Sequence, residues 1–120
     1  MKALLIVAHG SRRPASNDEI KYLASDVANL AGKKFDLVSH AFIQFTTPLL
    51  SDEIDALVNQ GATDIIIFPY FIASGSHVVQ DIPEGVQGAR EKHPGIAVTI
   101  LPHLGQSRGI KQLILDEVNR

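Results

Sequence analysis

With 120 residues, no cysteine and a formal net charge of −2, the chain can bury roughly two-thirds of its unfolded surface in one domain without covalent staples. Disulfides, thiolate metal sites and thiol nucleophiles are excluded, so any metal must be held by His, Asp, Glu or backbone oxygen. The near-neutral balance leaves no electrostatic footprint for nucleic acid, and no stretch approaches the ~18 apolar residues of a membrane span. The N-terminus has a single Lys, an apolar run too short for an export signal and no small-residue cleavage site, so a cytoplasmic protein is expected.

The first predicted element is a strand over Ala3–Ala8, an apolar run that ends abruptly in His9, Gly10, Ser11, Arg12 and Arg13. Ser16-Asn17-Asp18-Glu19 then reads as a capping box. Ile20, Leu23, Val27 and Leu30 follow at helical spacing, and Gly32 is placed to end that helix. A second strand is expected over Asp36–Ile43. Thr47-Pro48 opens a second helix with Pro at its first position, with Leu50, Ile54, Leu57 and Val58 facing inward and Gly61 at its end. The third strand covers Asp64–Phe71, where the continuous run Ile65 to Phe68 marks a strand covered on both faces. A third helix is predicted over Pro83–Lys92, a fourth strand over Ala97–Leu101, and a fourth helix from Gln106 to Val118 with Ile110, Leu113, Ile114 and Val118 inward. No linker or repeat divides the chain, so residues 1–120 read as one domain.

Strict alternation of strand and helix predicts an α/β fold: an open four-stranded parallel sheet with helices on both faces, flavodoxin-like, in strand order 2-1-3-4. In such sheets ligands bind beyond the carboxyl ends of the strands, where the winding reverses. Here that point lies between the first and third strands. His9 leaves the first strand there, and the third leaves through "FPYFIASGSHVVQDIPEG", which carries His77. Adjacent strands lie ~4.8 Å apart, so the two loops emerge side by side. Gly10, Gly75 and Ser76 allow the backbone to turn tightly and approach a bound molecule.

Imidazole has a reference pKa of about 6.5, so near neutrality it can accept a proton or donate a lone pair to a divalent metal. The alternative is that one or both of His9 and His77 are hydrogen-bonded loop histidines. Arg12 and Arg13 can capture carboxylates or phosphates through paired hydrogen bonds, or are solvated loop charges. Ser11 offers a hydroxyl that nothing marks as a nucleophile. Asp81 and Glu84 can orient His77; equally, Asp81 can cap the third helix ahead of Pro83. His103, in "LPHLG", borders the same edge. His40, inside the second strand, and His93, at a helix end, read as structural.

The combination of "AHGSRRP" with "FPYFIASGSHVVQDIPEG", through "AFIQFTTPLL" to "LPHLG", resembles the short-form sirohydrochlorin cobaltochelatases, the CbiX family of class II chelatases. The resemblance spans nearly the whole chain. It implies insertion of a divalent metal, with Co²⁺ first and Ni²⁺ or Fe²⁺ as alternatives, into a reduced tetrapyrrole without a nucleotide cofactor. It also implies that His9 and His77 handle the metal. Gly10, Ser11, Arg12, Arg13, Gln44, Gly75 and Ser76 are then the residues expected to face the substrate. A chain this short would be half of the usual chelatase, working as a homodimer with sirohydrochlorin in a cleft. One departure stands out: relatives often carry an acid after the second strand, where this chain has Gln44, which hydrogen-bonds but cannot ionise.

Other readings of the same features are a metal carrier or tetrapyrrole-binding module without turnover, a histidine phosphatase and a receiver-like signalling domain. The phosphatase chemistry places an arginine just before the histidine, where Ala8 stands. A receiver wants acids at the first strand's end, and Val7-Ala8-His9 supplies none.

Overall fold

Each apolar run becomes one strand of a single parallel sheet in the computed structural model, which describes residues 1–73 and 75–120, with the side chains of 76–79 excepted. The strands are β1 (Lys2–Ala8), β2 (Leu37–Phe42), β3 (Asp64–Pro69) and β4 (Ala97–Ile100). They alternate with helices α1 (Pro14–Ala31), α2 (Leu50–Asn59), α3 (Ser76–Lys92) and α4 (Ile110–Val118). The sheet order is β2-β1-β3-β4, as the strand-helix alternation predicts. All pairings are parallel, with Ala8 opposite Phe42 and Val7 opposite Pro69 at the carboxyl edge.

Alternation along β1 divides the core between two faces. Ala3, Leu5 and Val7 are fully buried with Ile65 and Ile67 of β3, Ile54 and Leu57 of α2, and Ile82 and Val86 of α3. On the other face Leu4 and Ile6 look across to Leu23 and Val27 of α1. That face is not filled: an apolar groove of about 270 Å³ remains among these residues, Phe68, Tyr70 and Leu104.

Several local expectations are corrected. Helix α1 begins at Pro14, with extended Arg13 as its N-cap residue, so Ser16–Glu19 lies inside the helix and forms no capping box. Proline's fixed φ suits the first helical position and starts the helix earlier. Leu30, one residue from the end of α1, is 87 % exposed and not turned inward. Helix α2 begins at Leu50, not Pro48. The preceding segment pairs instead with the end of β2, where the Phe42 N–H donates to the Pro48 carbonyl at 2.8 Å and Phe42 bridges to Leu49. The Thr47–Pro48 bond is cis.

Helix α3 starts at Ser76 and carries Pro83 in its interior. Ile82, Val86 and Ala89 form one buried stripe across that proline, and this packing outweighs the roughly 3 kcal/mol that an interior proline costs. Asp81 therefore lies within the helix, whose N-cap residue is Gly75. Helix α4 does not turn Leu113, Ile114 and Val118 inward: they are 52, 57 and 76 % exposed. The 3₁₀ turn Leu104–Gln106 that precedes it is tied to the exit of β3 by a 2.9 Å bond from the Gly105 N–H to the Phe71 carbonyl, and α4 packs mainly against that turn.

Candidate active site

The carboxyl edge between β1 and β3 opens into a cavity of about 430 Å³. His9 and Gly10 form its floor at the end of β1. Ser11, Ser16, Asn17 and Ile20 line the α1 side, and Tyr70, Phe71 and Ile72 the β3 side. This is the winding reversal at which open α/β sheets bind ligands.

His9 is exposed to this cavity, yet its ring is seated. The imidazole stands edge-on to the Phe71 ring at 4.6 Å, with an interplanar angle of 88°, a favoured geometry for paired rings. Phe71 is itself 5 % exposed, so a core residue of the β3 exit fixes a solvent-facing residue of the β1 exit. His77 belongs to the first turn of α3, the element that leaves β3 at the same edge; its side chain, like that of Ser76, lies outside the described residues. Among the described residues no three imidazole or carboxylate groups gather as a metal-binding cluster.

The turn after His9 is built by side-chain bonds. The Ser11 N–H donates to Asn17 Oδ1 at 2.9 Å, and Asn17 Nδ2 donates to the Ser11 carbonyl at 2.7 Å. The Arg13 N–H donates to Ser11 Oγ at 3.0 Å. Ser11 thus lines the cavity while its hydroxyl shapes the backbone. Gly10 has φ +91°, and a Cβ there would stand 1.9 Å from the Gln44 carbonyl oxygen. Only glycine permits that approach. The segment after β2 is consequently fastened to β1: the Ile43 N–H donates to the Ala8 carbonyl and the Gln44 N–H to the His9 carbonyl, both at 3.0 Å.

Other sequence candidates fall around this centre. Arg12 is exposed, with its guanidinium carbon 4.9 Å from the Phe45 ring centre. The two border a smaller cavity of about 240 Å³ that shares Ser11 and Asn17 with the larger one. Arg13 is exposed beside it. Gln44 contributes its backbone to the clamp, and its side chain does not line the main cavity. Gly75 precedes α3 with an ordinary extended φ of −92°, so its turn does not require glycine. Glu84 is exposed on α3 and Asp81 half-buried. His103 begins the Leu104–Gln106 turn, away from the cavity lining.

The remaining histidines lie outside the cavity lining. His40 lies opposite Ile6 within the edge strand β2, its ring edge-on to Phe42. Burial chiefly lowers its pKa, with Glu53 opposing and Lys21 reinforcing. His93 Nε2 lies 2.7 Å from Asp55 Oδ1, and Lys92 Nζ lies 2.7 Å from Asp55 Oδ2. The hydrogen bond from Lys92, then that from His93, holds the Asp55 carboxyl below its usual range. These bonds join α3 to α2. Asn17, Phe71 and Phe45 escaped the sequence reading. The one available signal was Asn17 six residues after Ser11, a spacing that a helix beginning at Pro14 folds back on the turn.

Fold and site together define an open-sheet α/β protein with a histidine-bearing mouth at the switch point. The CbiX family pattern matches residues 3–120. The chain belongs to the CbiX family. It is 31 % identical over 118 residues to a sirohydrochlorin cobaltochelatase of Sulfurisphaera tokodaii, covering 98 % of this chain and 92 % of that one. Its identity to the protein of the same name from Saccharolobus solfataricus is 34 % over 126 residues, covering 99 % and 94 %. Among solved structures, a CbiX protein from Marinobacter aquaeolei shares the fold with a TM-score of 0.83 at 20 % identity, over 99 % of this chain and 95 % of that one. The sirohydrochlorin chelatase SirB of Bacillus subtilis, solved with cobalt, matches with a TM-score of 0.80 at 23 % identity, over 98 % of this chain and half of that one. No helix among the described residues is long and apolar enough to cross a membrane.

Proposed function

We propose that this protein is a metal chelatase that inserts a divalent metal, Co²⁺ foremost, into sirohydrochlorin without a nucleotide cofactor. The observation that carries this reading is His9, seated on Phe71 at the mouth of the switch-point cavity, in a CbiX-family chain whose curated relatives are named sirohydrochlorin cobaltochelatases.

The metal ion is a substrate here. His9 and His77 present it to one face of the macrocycle, and Arg12 and Arg13 engage the peripheral carboxylates. Bonds from the metal to the ring nitrogens replace its bonds to water and imidazole. Two pyrrole N–H protons leave as the metal enters, taken up by imidazole or water, so charge and atoms balance. Imidazole ligation does not select among Co²⁺, Ni²⁺ and Fe²⁺, which differ in geometry preference and supply.

Residues 1–120 act as one domain in this reading, and two copies enclose the macrocycle. A cavity of about 430 Å³ is at the small end for ligand sites. The exposed apolar face of α4 and the unfilled groove between α1 and the sheet are surfaces that a second copy would cover.

The test is anaerobic incubation of purified protein with sirohydrochlorin and each metal singly, followed by absorption spectroscopy. The chelatase reading expects catalytic conversion to the metallated spectrum, many turnovers per chain. A spectral shift that stops at one equivalent identifies a binding module instead.

A further inference from the structure

Phe45 stands in a conformation that its own burial does not explain. Its φ of +71° lies in the left-handed region, which bulky residues rarely enter. Such outliers persist where surrounding structure holds them, and they cluster at functional sites. The holding structure is present: Ile43 and Gln44 are bonded to the exit of β1 on one side, and Phe42 to Pro48 on the other. Yet the ring gains little shelter, being 54 % exposed. What it meets is the Arg12 guanidinium, 4.9 Å from its centre. Ring and guanidinium border a cavity of about 240 Å³ with Ser11, Asn17, Asp18 and Thr46, next to the mouth that holds His9.

We propose that Phe45 is a positioning residue for Arg12, holding its guanidinium to receive a peripheral carboxylate of the tetrapyrrole; this rests on the metal-insertion reading above. Stacking occupies the face of the guanidinium and leaves its N–H edge available for a paired contact with a carboxylate. An arginine on an exposed turn otherwise samples many rotamers. A cation–π contact at an exposed site raises the population of the stacked arrangement by about 2- to 5-fold, and carboxylate binding gains by the same factor. The left-handed turn is what brings the ring within reach of Arg12.

The test separates ring from backbone. Asn tolerates the left-handed region, so Phe45→Asn removes the ring without adding backbone strain, whereas Phe45→Trp keeps an aromatic face. Initial rates of Co²⁺ insertion are measured against sirohydrochlorin concentration, with circular dichroism melts as the check on folding. F45N is expected to raise KM about 2- to 5-fold with kcat little changed, and F45W to keep the original KM. In an Arg12→Ala background F45N is expected to add nothing, since the pair acts as one unit. An unchanged KM in F45N, an equal rise in the Arg12→Ala background, or a rise in F45W as large as in F45N overturns the assignment. If F45N melts early, Phe45→Gly, which also accepts this φ, takes its place. Should the unsubstituted protein fail to insert metal, the insertion reading falls, and the same cycle is run on sirohydrochlorin binding by absorbance titration.

Discussion

Replacing Gly10 with Ala tests the clamp that shapes the mouth. The added Cβ would meet the Gln44 carbonyl oxygen at 1.9 Å, while real Cβ contacts below 3.0 Å essentially never occur, so the backbone carbonyl must retreat. That retreat strains the two 3.0 Å bonds from Ile43 and Gln44 to the exit of β1, each worth about 1 kcal/mol net. Holding Ala at φ +91° adds about 1–2 kcal/mol. The sum is roughly 3–4 kcal/mol, a large share of the ~5–15 kcal/mol stability of an ordinary domain. Urea unfolding monitored by circular dichroism gives the difference by linear extrapolation. Gly75→Ala is the control: that φ is −92° and no atom of the described residues beyond its chain neighbours would lie within 4 Å of the new Cβ, so its change should stay within about 0.5 kcal/mol. A Gly10→Ala protein within about 1 kcal/mol of the original would refute the reasoning.

Phe71→Leu removes the edge-on contact with His9 at a packing cost of about 1–3 kcal/mol, so activity is compared at a temperature where circular dichroism shows both proteins folded. Insertion kcat should fall about 2- to 10-fold, the equivalent of one ring pair; an unchanged kcat denies the seat a role. His40 has a folded pKa below its ordinary 6.5, so the unfolded chain takes up the proton first. Its contribution to stability is complete above 6.5 and is lost as pH falls through the lower folded value. His40→Asn should flatten that part of a plot of urea midpoint against pH, and identical slopes would contradict the assignment. If two copies associate through the exposed face of α4 as proposed, Ile114→Asp should keep the far-UV circular dichroism spectrum and lower a light-scattering mass of twice the 13.0 kDa chain toward one copy. A dimer that persists unchanged places the interface elsewhere.

The sheet was legible because buried parallel strands read as continuous apolar runs. Ile65 to Phe68 could hardly be anything else, and strict alternation with helical segments left the order 2-1-3-4 as the natural winding. His9 was legible for the same reason, since a polar cluster directly after a buried strand marks the strand's carboxyl end. What stayed hidden depended on contacts distant in sequence. Nothing local reveals that Phe71 seats His9, that Arg12 finds Phe45, or that Pro48 pairs with Phe42 in place of opening α2. The early start of α3 was hidden by Pro83, whose local preference is overridden by the stripe of Ile82, Val86 and Ala89. The amphipathic pattern of α4 predicted an apolar face correctly, but a pattern does not say whether its partner lies in the same chain.

The most direct measurement is metal insertion by His9→Ala and His77→Ala, compared with the unsubstituted protein under identical anaerobic conditions with sirohydrochlorin and Co²⁺. Both substitutions should abolish most turnover, by about 10²-fold or more as for loss of a positioned proton-transfer group, with urea midpoints close to the original. Normal turnover in either variant, with folding intact, contradicts the assignment of that imidazole to the metal.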